Sequence, residues 1–389
     1  MRSSVRTTVG LVAIGLGFAP LLFQRITSPE IPGFSQDNTC QSREGLQTSN
    51  GTPYYRNINV HRENLTKQAH ASALAELDND KLLAVWYGGS REGSKDSAIF
   101  MATYSPKQKT WGPEKIIANR HTTGKVVQRY VKKVGNPVIV RDKNNTIHLF
   151  YVSVSVGGWS GSAVNYISST DNGENWSEAR RLVSSPFFNL STLVKGEPLF
   201  MKDGTIAIPV YHEMIGKFGE LLYFHPDNGV INKTRISSGR SSLQPSIVAF
   251  DDHNAVSLLR YAGKGERRIQ YAHSDDAGNS WTAMTATNLP NPNAAVSARC
   301  VDNKTLLMAF NNTERGRYDL SLAISTDRGK HWHTIHKIEY KPNSKTEQRF
   351  SYPYLIEDSK GVFHISYTWN KKMIRHVSFN REWLKRSMQ

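Results

Sequence analysis

Cysteine is almost missing from this chain: 389 residues hold two, Cys40 and Cys300. Two isolated cysteines, the first in a polar N-terminal stretch, imply no disulfide framework and no thiolate metal site. No metal or other cofactor is expected. Acidic residues are scarce beside basic ones, 33 against 49, which leaves a net charge of +16. Such a surplus attracts polyanions. Nucleic acid is not the expected partner, because the basic residues are dispersed and neither a recognition motif nor an RNP-like aromatic pattern occurs. Long apolar runs are also lacking. One stretch, Val9 to Phe23 behind Arg2 and Arg6, covers about 15 residues, includes Pro20 and is short for a spanning helix. Residues 1–23 therefore predict a signal peptide or an N-terminal membrane anchor. The protein is expected to be exported, periplasmic or extracellular, and held at the membrane if that segment is retained. Residues 24–54, with Pro29, Pro32, Gly33 and many Ser, Asn and Gln, read as a flexible tether. No convincing long amphipathic helix follows in residues 55–389.

What the chain does contain is a repeated octet. Ser169, Asp171, Gly173 and Trp176 form an S-x-D-x-G-x-x-W pattern, repeated at Ser274, Asp276, Gly278, Trp281 and at Ser325, Asp327, Gly329, Trp332. An Asp and a Gly two apart close a tight turn, the carboxylate accepting backbone N–H bonds and the Gly taking a positive φ. Trp176 to Trp281 spans 105 residues and Trp281 to Trp332 spans 51, so the longer gap is two periods. A degenerate unit falls near Asp227-Asn228-Gly229, a worn one ends at Trp111, and one period beyond Trp332 stands Trp383. An independent series agrees. Six polar turns precede apolar runs rich in β-formers, from Asp78-Asn79-Asp80 before Leu82–Tyr87 to Asp358–Gly361 before Val362–Tyr367. The pattern predicts an all-β fold, a six-bladed β-propeller over residues 55–389.

In such a ring, the same phase of each repeat faces one axial mouth. The predicted inner strands begin at His70, Asn136-Pro137, Glu197-Pro198, Gln244-Pro245, Asn293 and Tyr352-Pro353. The returning strands end near Arg91-Glu92 and Asp96, Trp159, His212-Glu213, Arg260, Arg315 and Arg317, and Arg375. Arginines, carboxylates, a histidine and a tyrosine at one mouth suit a carboxylate-bearing ligand, because guanidinium forks pair carboxylates bidentately.

The octets and the order of residues around them resemble the sialidase (neuraminidase) superfamily, particularly the Asp-box or BNR-repeat proteins of its bacterial "predicted neuraminidase" branch. The resemblance covers essentially all of the chain after the tether. It implies three arginines on a substrate carboxylate, an Asp as acid/base, and a Tyr nucleophile activated by a Glu. Arg260 in Leu258-Leu259-Arg260 and Arg317 before the last octet match the second and third arginines. Tyr352, in Ser351-Tyr352-Pro353-Tyr354-Leu355, falls at the nucleophile, Asp96 at the acid/base, and Arg91 at an auxiliary arginine. Three positions depart. The first arginine is His70, the Glu that activates the Tyr is Gln244, and the Glu that braces the first arginine is Thr368. Losing an arginine together with its brace is self-consistent. Losing the Glu leaves a tyrosine of ordinary acidity without a base, and Glu213, then Glu197, are the substitutes.

The resulting expectation is an exo-glycosidase that releases a terminal sialic acid or related acidic sugar. Asp96, Tyr352 and Glu213 perform the chemistry, while His70, Arg91, Gln244, Arg260 and Arg317 bind the substrate. An acidic glycan is the expected partner. The alternatives are a uronic-acid polysaccharide lyase or hydrolase, with His70 and Tyr352 as base and acid, and a non-catalytic acidic-glycan-binding propeller.

Overall fold

Short β-forming runs between polar turns become strands almost throughout. The computed structural model describes residues 32–43, 51–185, 189, 191–344 and 346–389; among these, the only α-helices are Arg120–Val126 and Arg381–Ser387. The predicted signal or anchor, residues 1–23, lies outside the described residues. Among the described residues no helix is long and apolar enough to cross a membrane.

The strands form five sheets, nearly all of sequence-consecutive antiparallel neighbours. The largest, of nine strands, is two such runs joined by a brief parallel contact, Lys217↔Ser241 and Phe218↔Ser242. The innermost strands are Gln68–Glu76, Lys133–Arg141, Leu193–Val194, Ser241–Ala249, Ser297–Cys300 and Phe350–Glu357. They succeed one another around a closed circuit, with Ile206–His212 between the third and fourth and Phe350–Glu357 returning to Gln68–Glu76. Tyr55–Asn59 closes the last sheet by pairing with Met373–Asn380. A strand from the early part of the folded region thus joins the sheet of the last three strands and forms its edge.

The octets behave as their chemistry predicts. In the first, Asp171 Oδ1 accepts from Ser169 Oγ at 2.7 Å and from Asn175 N at 2.9 Å, and Trp176 Nε1 donates to Gly173 O at 3.1 Å. These bonds, from Asn175 first, hold the Asp171 carboxyl down at about 2. Each turn also packs on the preceding sheet. Gly278 (φ +85°) has Tyr223 Oη 2.7 Å and Leu221 Cδ2 2.8 Å from where a Cβ would stand, so no side chain fits there. Trp383, the last period marker, lies in the helix Arg381–Ser387 and packs on Tyr55 and Phe379.

Two expectations are corrected at the N-terminus. Residues Gly33–Arg43, read as part of a flexible tether, are folded onto the sheets: Phe34 and Cys40 are fully buried, and Phe34 bridges Met201. Cys40 and Cys300 form a disulfide across 260 residues. Sequence spacing carried no sign of it, because pairing depends on proximity that only the folded segment creates. Arg43 completes the anchorage with an ion pair to Glu357 at 3.2 Å. Replacing both cysteines by serine is expected to lower stability by about 2–5 kcal/mol, the usual loss for a native bridge. Calorimetry checks this; an unchanged Tm would mean that the segment holds itself in place.

Candidate active site

A non-glycine residue in left-handed backbone stands near the start of five of the six inner strands: Ala71 (φ 48°), Asn136 (46°), Gln244 (54°) and Tyr352 (55°) within theirs and Asn293 (60°) ahead of Ser297–Cys300; at the sixth, Gly196 (101°) follows Leu193–Val194. Register shifts accompany four of them, at His70/Ala73, Gly135/Val138, Leu243/Ser246 and Ser351/Tyr354. These are β-bulges, which free one residue from the ladder and re-aim its side chain. Proline after Asn136, Gln244 and Tyr352 is tolerated there because a bulge needs no N–H. Left-handed geometry is costly for residues as large as Tyr and Gln, and such strain concentrates at functional sites.

The bulges gather a hydrogen-bonded floor. Arg260 donates from Nη1 to Gln244 Oε1 at 2.9 Å and from Nε to Asn293 Oδ1 at 2.6 Å. Gln244 Nε2 donates to Tyr211 Oη at 3.1 Å, and Asn136 Nδ2 reaches the same hydroxyl at 3.2 Å. Arg317 Nη2 donates to Asn293 O at 2.6 Å, and its guanidinium lies 5.8 Å from the Tyr352 ring centre. Burial pulls Arg317 below its ordinary value, Tyr352 opposes that, and the like charges of Arg260 and Arg349 add to it. An anion bound between Arg260 and Arg317 would relieve this repulsion.

Beside the floor, His70 fills the corner of the missing arginine. It is buried, its ring meets Tyr352 edge-on at 4.6 Å, and Nδ1 is 3.2 Å from Thr368 Oγ1. Thr368 Oγ1 also accepts from Ala71 N at 3.0 Å. The two departures expected to be coupled are therefore in contact. Burial pushes the His70 imidazole down to about 3, although Glu92, 3.8 Å from Nε2, favours its charge. Glu92 is itself paired with Lys371 at 2.7 Å.

The other predicted residues stand apart from this cluster. Asp96 is an exposed loop carboxylate that accepts from Ser94 Oγ and, at 2.9 Å, from both Ser90 N and Ser90 Oγ. These bonds, Ser94's foremost, hold it below its ordinary value. Arg91 is exposed in the same loop. Glu213 is half-buried; among the described residues its carboxylate takes part in no hydrogen bond or ion pair, but its charge acts on Tyr211. Burial holds the Tyr211 hydroxyl well above its ordinary value.

Glu197 does not join the site. Here the left-handed residue is Gly196, one position earlier than the sequence phase implied. A one-residue slip turns a strand side chain to the other face, and Glu197 pairs with Arg299 instead. That pair lines a cavity of about 450 Å³ at the opposite end of the inner strands, with Arg43, Ile139, Ile356 and Glu357. Arg375 likewise turns away, to Glu339 at 2.7 Å. Sequence reading missed Tyr211 and Asn293 as partners, although both lie in the runs it singled out. Lys371 carried no signal, since it reaches Glu92 from the distant turn after Trp369.

The chain and its fold are similar to known proteins. Residues 80–365 fit the family model described as a BNR repeat-like domain. A sialidase of Bacteroides fragilis (strain YCH46) is 25% identical over 182 residues, which take in 44% of this chain and 33% of that relative's length. The fold is similar to that of the Hadza microbial sialidase Hz136, with a TM-score of 0.69, 17% identity, and 84% of this chain and 68% of that one covered. It is also similar to the intramolecular trans-sialidase from Ruminococcus gnavus, solved with oseltamivir carboxylate. There the TM-score is 0.61 and the identity 16%, over 82% of this chain and 96% of that one.

Proposed function

Since the chain belongs to the BNR repeat-like family of the sialidase superfamily, we propose that it is an exo-glycosidase releasing a terminal sialic acid or related acidic sugar. The five sheets then read as six blades of four or five strands, the nine-stranded one counting as two. The observation that carries the reading is the meeting of Arg260, Arg317 and Tyr352 on one bulge-built floor. Free guanidinium edges of the two arginines clamp the sugar carboxylate, and the net charge of +16 draws in acidic glycans. His70 or Arg91 assists the two arginines at the carboxylate, and Gln244 fixes Arg260. Tyr352 Oη bonds to the anomeric carbon as the glycosidic oxygen departs. A neutral phenol avoids the repulsion that a carboxylate nucleophile would meet from the substrate's own charge. Glu213, whose charge is felt at Tyr211, takes the phenolic proton, and Asp96 then activates the water that cleaves the sugar–tyrosine bond. The Cys40–Cys300 bridge supports an exported protein, because disulfides persist in oxidising compartments.

Asp96 is held ionised, so it has no proton to give a leaving alkoxide. Aryl sialosides, whose phenolate leaves unaided, are expected to turn over roughly 10²–10⁴ times faster than sialyl-lactose, the span of general-acid catalysis. Turnover of a fluorogenic sialoside and of sialyl-lactose, with product analysis, tests both statements. Equal rates would return Asp96 to the role of acid. An unsaturated, ultraviolet-absorbing product from a polyuronide would select a lyase, a reading that the low basicity of His70 opposes. Binding without release would select a glycan-binding module, which the engagement of Gln244 by Arg260 and Tyr211 favours as the second reading.

A further inference from the structure

Lys195 has no part in the reaction above, yet it occupies the inner ring. It is 5% exposed and follows the strand Leu193–Val194. The next residue, Gly196, is left-handed, and a Cβ there would fall 2.4 Å from Pro245 O. That constraint gives Lys195 the position, just before the left-handed residue, that His70 and Ser351 hold on their own strands. Its Nζ donates to Pro353 O at 3.1 Å and lies 5.0 Å from the Tyr354 ring centre. No carboxylate among the described residues pairs with it. Burying an uncompensated ammonium is strongly unfavourable, and burial brings Lys195 down to about 7.

The groups on the strands around it leave that titration to Lys195 alone. His70 is held at about 3, with Lys195 among the charges that keep it neutral. Tyr354 and Tyr211 are held well above their ordinary value by burial. Glu197, two residues along the same segment, is engaged by Arg299. Beyond His70 lie Glu92, Lys371 and Arg317, and Glu92 is held below its ordinary value by His70 and Lys371 against the effect of burial.

We propose that Lys195 is a positioning residue for Tyr352 and a switchable charge behind the carboxylate site. Its hydrogen bond to Pro353 O fixes the turn that carries Tyr352. Its ammonium form adds positive charge at the His70 corner, beside Tyr352, so an anion bound next to Tyr352 draws a proton onto Lys195. The two roles separate with pH. A neutral amine still donates to Pro353 O, so kcat stays level through neutrality, while KM for an acidic substrate rises as the charge is lost.

The proposal rests on the acidic-glycoside reading, and calorimetry of the full chain with free sialic acid tests it without turnover. Titrations at pH 7 in two buffers of different ionisation enthalpy are expected to show uptake of roughly half a proton per ligand, the share a group half-titrated at that pH can take. Lys195→Met, nearly isosteric, abolishes the uptake. It also lowers kcat about 100-fold, the cost of a 1 Å misplacement, and leaves KM independent of pH between 6 and 8. Binding without proton uptake in the wild type, or the same uptake in Lys195→Met, overturns the role of Lys195 and leaves the glycosidase reading intact. Failure of any acidic sugar to bind overturns both. If Lys195→Met does not fold, proton uptake and the pH profile of KM in the wild type decide the matter.

Discussion

Tyr352→Phe is expected to lower kcat on an aryl sialoside by on the order of 10⁴-fold, the loss on removing one member of a nucleophilic machinery, while KM changes little. The substitution deletes one oxygen. The ring still meets His70 edge-on at 4.6 Å, the backbone stays at φ 55°, and the arginines keep their contacts with Asn293. Carboxylate binding therefore survives, and the loss falls on the chemical step. Single-turnover kinetics on the purified variant measure it. Unchanged turnover would remove Tyr352 from the mechanism and leave only its place in the lining.

Arg317→Ala should act on the other parameter. The residue is half-buried, its guanidinium is pressed by Arg260 and Arg349, and it has no carboxylate ion-pair partner among the described residues. Removing it takes away a charge-assisted bond to the ligand, worth about 3 kcal/mol or roughly 10²-fold in kcat/KM, mostly through KM. Stability should move the opposite way or not at all, because like-charge repulsion is relieved and one hydrogen bond, to Asn293 O, is lost. Arg317→Lys should not restore affinity, since a point charge cannot reproduce the bidentate fork. A large fall in Tm with KM unchanged would make Arg317 a structural residue instead.

Much of this site was legible because the octets set a phase. Short, local and chemically constrained, they mark three of the five sheets, and counting periods from them placed Gln244, Asn293 and Tyr352 in equivalent phase near their strand starts. Their bulges then brought Arg260 and Arg317 alongside. The pairing of His70 with Thr368 was also readable, as two substitutions that make sense only together. Phase failed where one residue of backbone geometry mattered. Gly196 takes the left-handed position that a neighbour of Glu197-Pro198 was not expected to take, so Glu197 faces the far cavity. The same shift brings Lys195 into the ring, where a lone Lys-Gly pair gave no hint of burial. The Cys40–Cys300 bridge and the docked Gly33–Arg43 segment depend on contacts separated by hundreds of residues, for which no local pattern exists.

The most direct test is a crystal structure with a soaked acidic monosaccharide. Its carboxylate is expected between Arg260 and Arg317, with the anomeric carbon within bonding approach of Tyr352 Oη. A sugar found instead in the far cavity beside Glu197 and Arg299, with the Arg260–Arg317 corner empty, would contradict the proposed function.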